Sequence, residues 1–81
     1  MFKDHKGRIL QTGTHVRWAG AIPTSLLRNL PTSDRRAIQH AKGMTVEGND
    51  EFGNIELGFR DRFGNMHWIW VNSEFVEAES F

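Results

Sequence analysis

One short unit occurs three times in this chain, as Asp4-His5-Lys6-Gly7, Asp50-Glu51-Phe52-Gly53 and Asp61-Arg62-Phe63-Gly64. Aspartate at the first position of a type I turn accepts a hydrogen bond from the backbone two residues on. Glycine at the fourth takes the left-handed conformation that closes a hairpin with a bulge. Three hairpins follow, so the chain is committed to antiparallel pairing. The last two units are close copies, Asp-x-Phe-Gly-Asn, and each runs into a short strand, Asn54-Ile55-Glu56-Leu57 and Asn65-Met66-His67-Trp68. That arrangement is a three-stranded meander and not a tandem repeat of domains.

Alternation elsewhere predicts strands at about 8–11, 14–18, 44–49, 54–60, 65–71 and 75–78. Turn geometry also sets the register of the last hairpin. With Asp61 opposite Asn65, pairing runs outward as Arg60 with Met66, Phe59 with His67, Gly58 with Trp68, Leu57 with Ile69, Glu56 with Trp70 and Ile55 with Val71. One face then reads Ile55, Leu57, Phe59, Ile69 and Val71, the expected interior. The other carries Met66, Trp68 and Trp70 beside Gly58, Glu56 and Arg60, with the Trp68 ring expected over the bare backbone of Gly58. Two readings of this second face stand. Either Leu26, Leu27, Leu30 and Ile38 cover it as a minor core, or the tryptophans form a contact surface of the kind enriched in binding hot spots. Cover is the favoured reading, with Trp70 the more accessible of the two rings. The same turn geometry at Asp50–Gly53 sets Glu47 opposite Leu57, and thus inside, so the register of strand 44–49 stays open.

Between Gly20 and Gly43 the pattern changes to helical spacing. Thr24 is expected to cap a short helix over Ser25–Leu30, ended by Pro31. Thr32 or Ser33 caps a second, in which Asp34 suits the helix dipole and Ala37, Ile38 and Ala41 form an apolar stripe. Gly43 is the expected stop. Arg35, Arg36, Gln39 and His40 lie off the stripe.

The chain has 81 residues and no cysteine, so a single domain must be held by its apolar core without disulfides or thiolate metal sites. No stretch approaches the roughly 18 apolar residues of a membrane span, and Met1–Lys6 has no apolar leader, so a cytoplasmic protein is expected. Net charge is zero, yet residues 1–42 carry eight basic and two acidic side chains while residues 43–81 carry two basic and eight acidic. Either the basic half offers a face to an anionic partner, or the halves interleave in one sheet and neutralise each other, the favoured reading for so small a domain.

Ile69-Trp70-Val71-Asn72-Ser73-Glu74-Phe75-Val76-Glu77 resembles the closing stretch of SH3 domains, where a strand enters a Ser-x-aromatic 3₁₀ turn and a last strand begins with Val. The whole chain also resembles small uncharacterised bacterial proteins with an SH3-like barrel, through Val16-Arg17-Trp18, Leu26-Leu27, Leu30 to Ile38 and Phe52-Gly53-Asn54. These resemblances imply a mainly β fold, an SH3-like small bent barrel of five to six antiparallel strands with a two-helix insert at about 24–42. The acidic loop, the Ala-Leu-Tyr opening and the adjacent Trp-Trp pair of SH3 domains are missing. Proline-rich peptide binding is therefore not implied, although Phe75 occupies the position of a groove aromatic.

His5, His15, His40 and His67 show no metal-ligand spacing, and no nucleophile or phosphate-binding motif occurs. The expectation is a non-enzymatic module without cofactor or metal that binds another protein through Trp68, Trp70 and Phe75, as a monomer or weak homo-oligomer. The alternative is nucleic-acid binding by Arg35 and Arg36 of the insert, with Arg28, Lys42 and His40 beside them. It ranks lower because the second half is acidic and the pI is about 6.9. A third reading, by likeness to the SH3-like accessory subunits of nitrile hydratase or photosystem I, is a docking part of an enzyme assembly. The turns themselves are testable: Gly53→Ala and Gly64→Ala should each destabilise by about 1 kcal/mol in denaturant titrations, because a side chain is strained at positive φ.

Overall fold

The computed structural model describes residues 2–79. Phe2–Lys3 (β1) pairs with Ile9–Leu10 (β2) as a small hairpin. His15–Trp18 (β3), Lys42–Asn49 (β4), Asn54–Arg60 (β5), Met66–Asn72 (β6) and Val76–Ala78 (β7) form a five-stranded antiparallel sheet in the order β6-β5-β4-β3-β7. A 3₁₀ turn, Ser73–Phe75, joins β6 to β7. The two edges, β6 and β7, do not pair, so strand pairing leaves the sheet open and does not close it into a barrel.

The three aspartate turns share one device. Oδ1 of Asp4 accepts from the N–H of Lys6 and Arg8 at 2.9 and 2.7 Å, that of Asp50 from Phe52 and Asn54 at 2.8 and 2.9 Å, and that of Asp61 from Phe63 and Asn65 at 2.8 and 3.0 Å. Gly53 and Gly64 close their turns at φ +87° and +86°. Between β5 and β6 the register is the expected one at every pair from Ile55–Val71 to Arg60–Met66.

The open register of β4 is resolved by two irregularities. Lys42 faces Arg60 and Thr45 faces Gly58, so Gly43 and Met44 together oppose Phe59. Gly43, at φ +68°, is thus a bulge residue inside β4 and not a helix stop. Next, Val46 faces Leu57 while Gly48 faces Glu56, which leaves Glu47 as an extra residue. The extra residue shifts the register against β5, so Val46 and not Glu47 stands opposite buried Leu57; Met44, two residues earlier on the same face, is buried too, and Glu47 turns out to solvent. Val16, Val46, Ile55, Leu57, Phe59, Ile69, Val71 and Val76 fill that core, with Leu10 of β2 closing one side.

The insert forms two helices, Thr24–Asn29 (α1) and Thr32–Gln39 (α2). The expected caps are wrong: Thr24 and Thr32 are already helical, Ser33 lies within α2, and no side chain caps either helix. Pro23 and Pro31 take the cap positions instead, their extended backbones feeding carbonyls to the N–H of Leu27 and Arg35 at 3.2 and 2.9 Å. Ala37 and Ile38 are buried, while Leu26, Leu27 and Leu30 are partly buried against the main core.

The charge halves do interleave. Arg17 on β3 meets Glu77 on β7 at 2.8 Å, with Lys6 at 3.5 Å from the same carboxylate. The two sheet edges differ sharply. His15, Arg17 and Ala19 bond β7 and its flanks, so the backbone groups of Val76 and Ala78 point away from β3. All four of those groups are satisfied. Val76 donates to the Ser73 carbonyl, its own carbonyl accepts from His5, the Ala78 N–H donates to Asp4 Oδ2 at 2.7 Å, and the Ala78 carbonyl accepts from Arg8. On β6 the bonds to β5 use Phe59, Leu57 and Ile55 with His67, Ile69 and Val71, as the Asp61–Asn65 and Gly53–Ser73 bonds on either side require. The N–H and C=O groups of Met66, Trp68, Trp70 and Asn72 therefore point off an edge with no backbone partner among the described residues.

Asp4 is the pin of the β7 edge, buried at 4% exposure and accepting three backbone N–H bonds. Burial raises its pKa, and the three N–H groups with nearby Arg8 outweigh that, leaving the carboxyl below its ordinary range. We predict that Asp4→Ala costs about 3 kcal/mol, since buried N–H groups are left unpaired. Asp4→Asn should cost roughly half that, because an amide NH₂ must then oppose one N–H. Urea titration beside Asp50→Ala is the comparison: the half-buried Asp50 carboxylate bonds only within its own hairpin, to Phe52 and Asn54, so Asp50→Ala should be the milder.

Candidate functional site

The outer face of the β4–β5–β6 meander is the most unusual surface on the molecule. Trp68 and Trp70 alternate outward with Met66 along β6, and they remain 55% and 51% exposed. The insert does not cover them, because α1 and α2 pack their apolar residues against the main core. Nor does the Trp68 ring take the space over Gly58. An ideal Cβ on Gly58 would meet Glu47 Oε1 at 2.7 Å and Glu47 Cγ at 2.9 Å, so the bulged Glu47 lies flat on that glycine. Gly58 is consequently buried on an otherwise exposed face. Glu56 stands directly opposite Trp70, with its carboxylate near the bare backbone of Gly48. Neither Glu47 nor Glu56 has an ion-pair or hydrogen-bond partner among the described residues.

The other expected site residues are dispersed. Phe75 is exposed beside a separate depression lined by His5, Ala19, Gly20, Ala21 and Glu74, next to the β7 side of the sheet. Arg35 is exposed but tied to the backbone: Nε donates to the Leu27 carbonyl at 2.9 Å and Nη2 to the Leu30 carbonyl at 3.2 Å, joining α2 to the end of α1. Arg36 lines a cleft of about 320 Å³ with Ala37, His40, Arg62, Phe63 and His67. The side chain of Lys42 lies outside the described residues.

That cleft contains a cluster the sequence reading missed. His67 Nδ1 lies 2.7 Å from Asp34 Oδ1 on α2, and Nε2 lies 2.9 Å from Asp61 Oδ2 in the hairpin turn. The ring stacks on Phe59, centroids 5.6 Å apart and planes inclined by 13°. Hydrogen bonding to Asp34, then Asp61, raises the His67 pKa against a smaller effect of burial, and the bond to His67 brings the Asp61 carboxyl down to about 2. With both ring nitrogens engaged, the imidazolium holds the insert to the hairpin and has no lone pair free for a metal or a substrate proton. The dipole role of Asp34 and the turn role of Asp61 account for neither contact. The signal was in the register: a histidine opposite Phe59 lies on the inner face and needs partners for both nitrogens.

Among the described residues no group of His, Asp and Glu is placed to hold a metal ion, and no helix is long and apolar enough to cross a membrane. No family model, no curated protein and no solved structure matches the chain.

The His67 cluster makes stability depend on pH with a definite sign. Because the folded pKa is raised, the contribution is fully present below about 6.5, the ordinary histidine value, and is lost as pH rises through the higher folded value. On the acid side it is lost as pH falls towards about 2, where Asp61 protonates. We predict that melting temperature declines from pH 6 to pH 9 in the native chain and that His67→Gln flattens the decline. An NMR titration of His67 should give its midpoint.

Proposed function

We propose that the chain is a non-enzymatic protein-binding module of SH3-like type whose contact surface is the tryptophan-bearing face of β6. The observation that carries this reading is the pair of half-exposed indoles, Trp68 and Trp70, on one face with no helix or strand among the described residues packed over them. Buried aromatics stabilise a small domain, whereas two exposed ones side by side raise its tendency to associate and are characteristic of interfaces. The SH3-like part of the reading draws on the Ser73–Phe75 turn leading into Val76, on the doubly bulged β4, and on the resemblances above.

Nucleic-acid binding by the insert draws less support, since the Arg35 guanidinium is occupied by two carbonyls. Phosphate contacts need several free cations on one face. A docking role within a larger assembly uses the same tryptophan face and differs only in the partner.

Trp68→Ala and Trp70→Ala should each change stability by no more than about 1 kcal/mol, against the roughly 3–5 kcal/mol of a buried tryptophan. Iodide should quench both indoles in the folded protein. Association with the partner should weaken by about 2 kcal/mol or more if either ring is a hot spot. Unfolding of both variants, with no quenching in the native chain, would remove the site.

A further inference from the structure

We infer that the occupant of the β6 face is an extended basic segment of another protein, added as a strand to the β6 edge with arginine or lysine at every second position. This inference rests on the binding reading above and supplies the chemistry of its partner.

Three observations converge on one strip of surface. First, the backbone groups of Met66, Trp68, Trp70 and Asn72 point off the β6 edge with no backbone partner among the described residues, while the corresponding groups on β7 are all satisfied. Edge strands are commonly blunted by charge, proline, a bulge or shortness. β6 runs for seven residues with none of lysine, arginine, aspartate, glutamate or proline, and its pairing with β5 is unbroken. An added strand would find a complete ladder of donors and acceptors.

Second, the side chains on the accessible face of that edge are Trp68 and Trp70, whose faces attract cations. Third, each tryptophan has a carboxylate in the next row inward. Glu56 is opposite Trp70, and Glu47 lies over Gly58, which is opposite Trp68. No cation of the chain neutralises either one among the described residues. A guanidinium laid across an indole would end at a carboxylate. Trp68 and Trp70 are two residues apart on one strand, about 7 Å, which is also the repeat of side chains on one face of any extended segment. Adjacent basic residues would point to opposite faces, so alternation is required and a block of charge is not equivalent. An acidic segment would meet unpaired Glu47 and Glu56 and be repelled.

The test uses the full chain with three short synthetic peptides of matched length: arginine alternating with serine, the same residues with the arginines in one block, and glutamate alternating with serine. Binding is read by tryptophan fluorescence and by calorimetry at low salt. The alternating arginine peptide should bind, weaken as salt is raised, and lose about tenfold in affinity to the Glu47→Gln, Glu56→Gln double variant, whose melting should be unchanged. Methylating the peptide's backbone nitrogens should abolish binding if a ladder forms. Equal binding by the blocked or methylated peptide would overturn strand addition, and absence of binding by the alternating peptide would overturn the inference outright. A glutamate peptide that binds and is lost in Trp70→Ala would leave the face a binding site but overturn its basic partner. Sedimentation of the free chain adds a further arm: a dimer dissolved by the double variant would overturn the assignment to a separate protein, with the chain's own basic half as the occupant.

Discussion

Strand β4 carries the main constraint on this fold. It is bonded to β3 on one side and β5 on the other, so its core-side residues must meet those of both neighbours. A regular strand continued from the Gly48–Glu56 pair would set Glu47 opposite buried Leu57, because alternation is rigid. Two extra residues are supplied, at Gly43 and at Glu47. The first uses a left-handed glycine; the second moves a carboxylate out of the core and onto Gly58. Core packing and the acidic character of the outer face therefore have one origin.

Local chemistry was legible where one residue type dictates one geometry. Asp at the head of each turn and Gly at its close fixed the β5–β6 hairpin so tightly that its register follows from sequence alone, including the outward placement of Trp68 and Trp70. Legibility failed where geometry depends on partners far along the chain. The bulge at Glu47 is selected by β3 and β5 together, and no local signal marks it. Helix caps failed for a subtler reason: Thr24, Thr32 and Ser33 are good capping residues, but Pro23 and Pro31 precede them and fix an extended backbone one position earlier. Leucines of the insert were expected on the tryptophan face because both were apolar. Hydrophobic pattern says that a surface is apolar and not which apolar surface meets it.

Electrostatics joins what packing alone holds loosely. The insert is short, α1 has no fully buried residue, and α2 buries only Ala37 and Ile38. Its attachment to the meander is reinforced by the imidazolium of His67 between Asp34 and Asp61. Arg35 does the same inside the insert by gathering the carbonyls at the end of α1. Arg35, which a composition count assigns to a basic surface, is in this way also a tie within the insert, and the near-neutral pI conceals a face on which Glu47 and Glu56 have no ion-pair partner among the described residues.

The unequal finish of the two sheet edges sets an upper bound on how this molecule can aggregate. Growth of a fibril through edge pairing needs two free edges on every subunit, so that each newcomer offers a fresh template to the next. Here the Asp4 turn has closed one margin of the sheet, while the other has no backbone partner among the described residues. A second copy that docks through its own β6 presents its satisfied β7 edge outward, so a ladder built from this chain alone halts at a single addition. Loss of the Asp4 carboxylate would free the Ala78 N–H and begin to open the second margin.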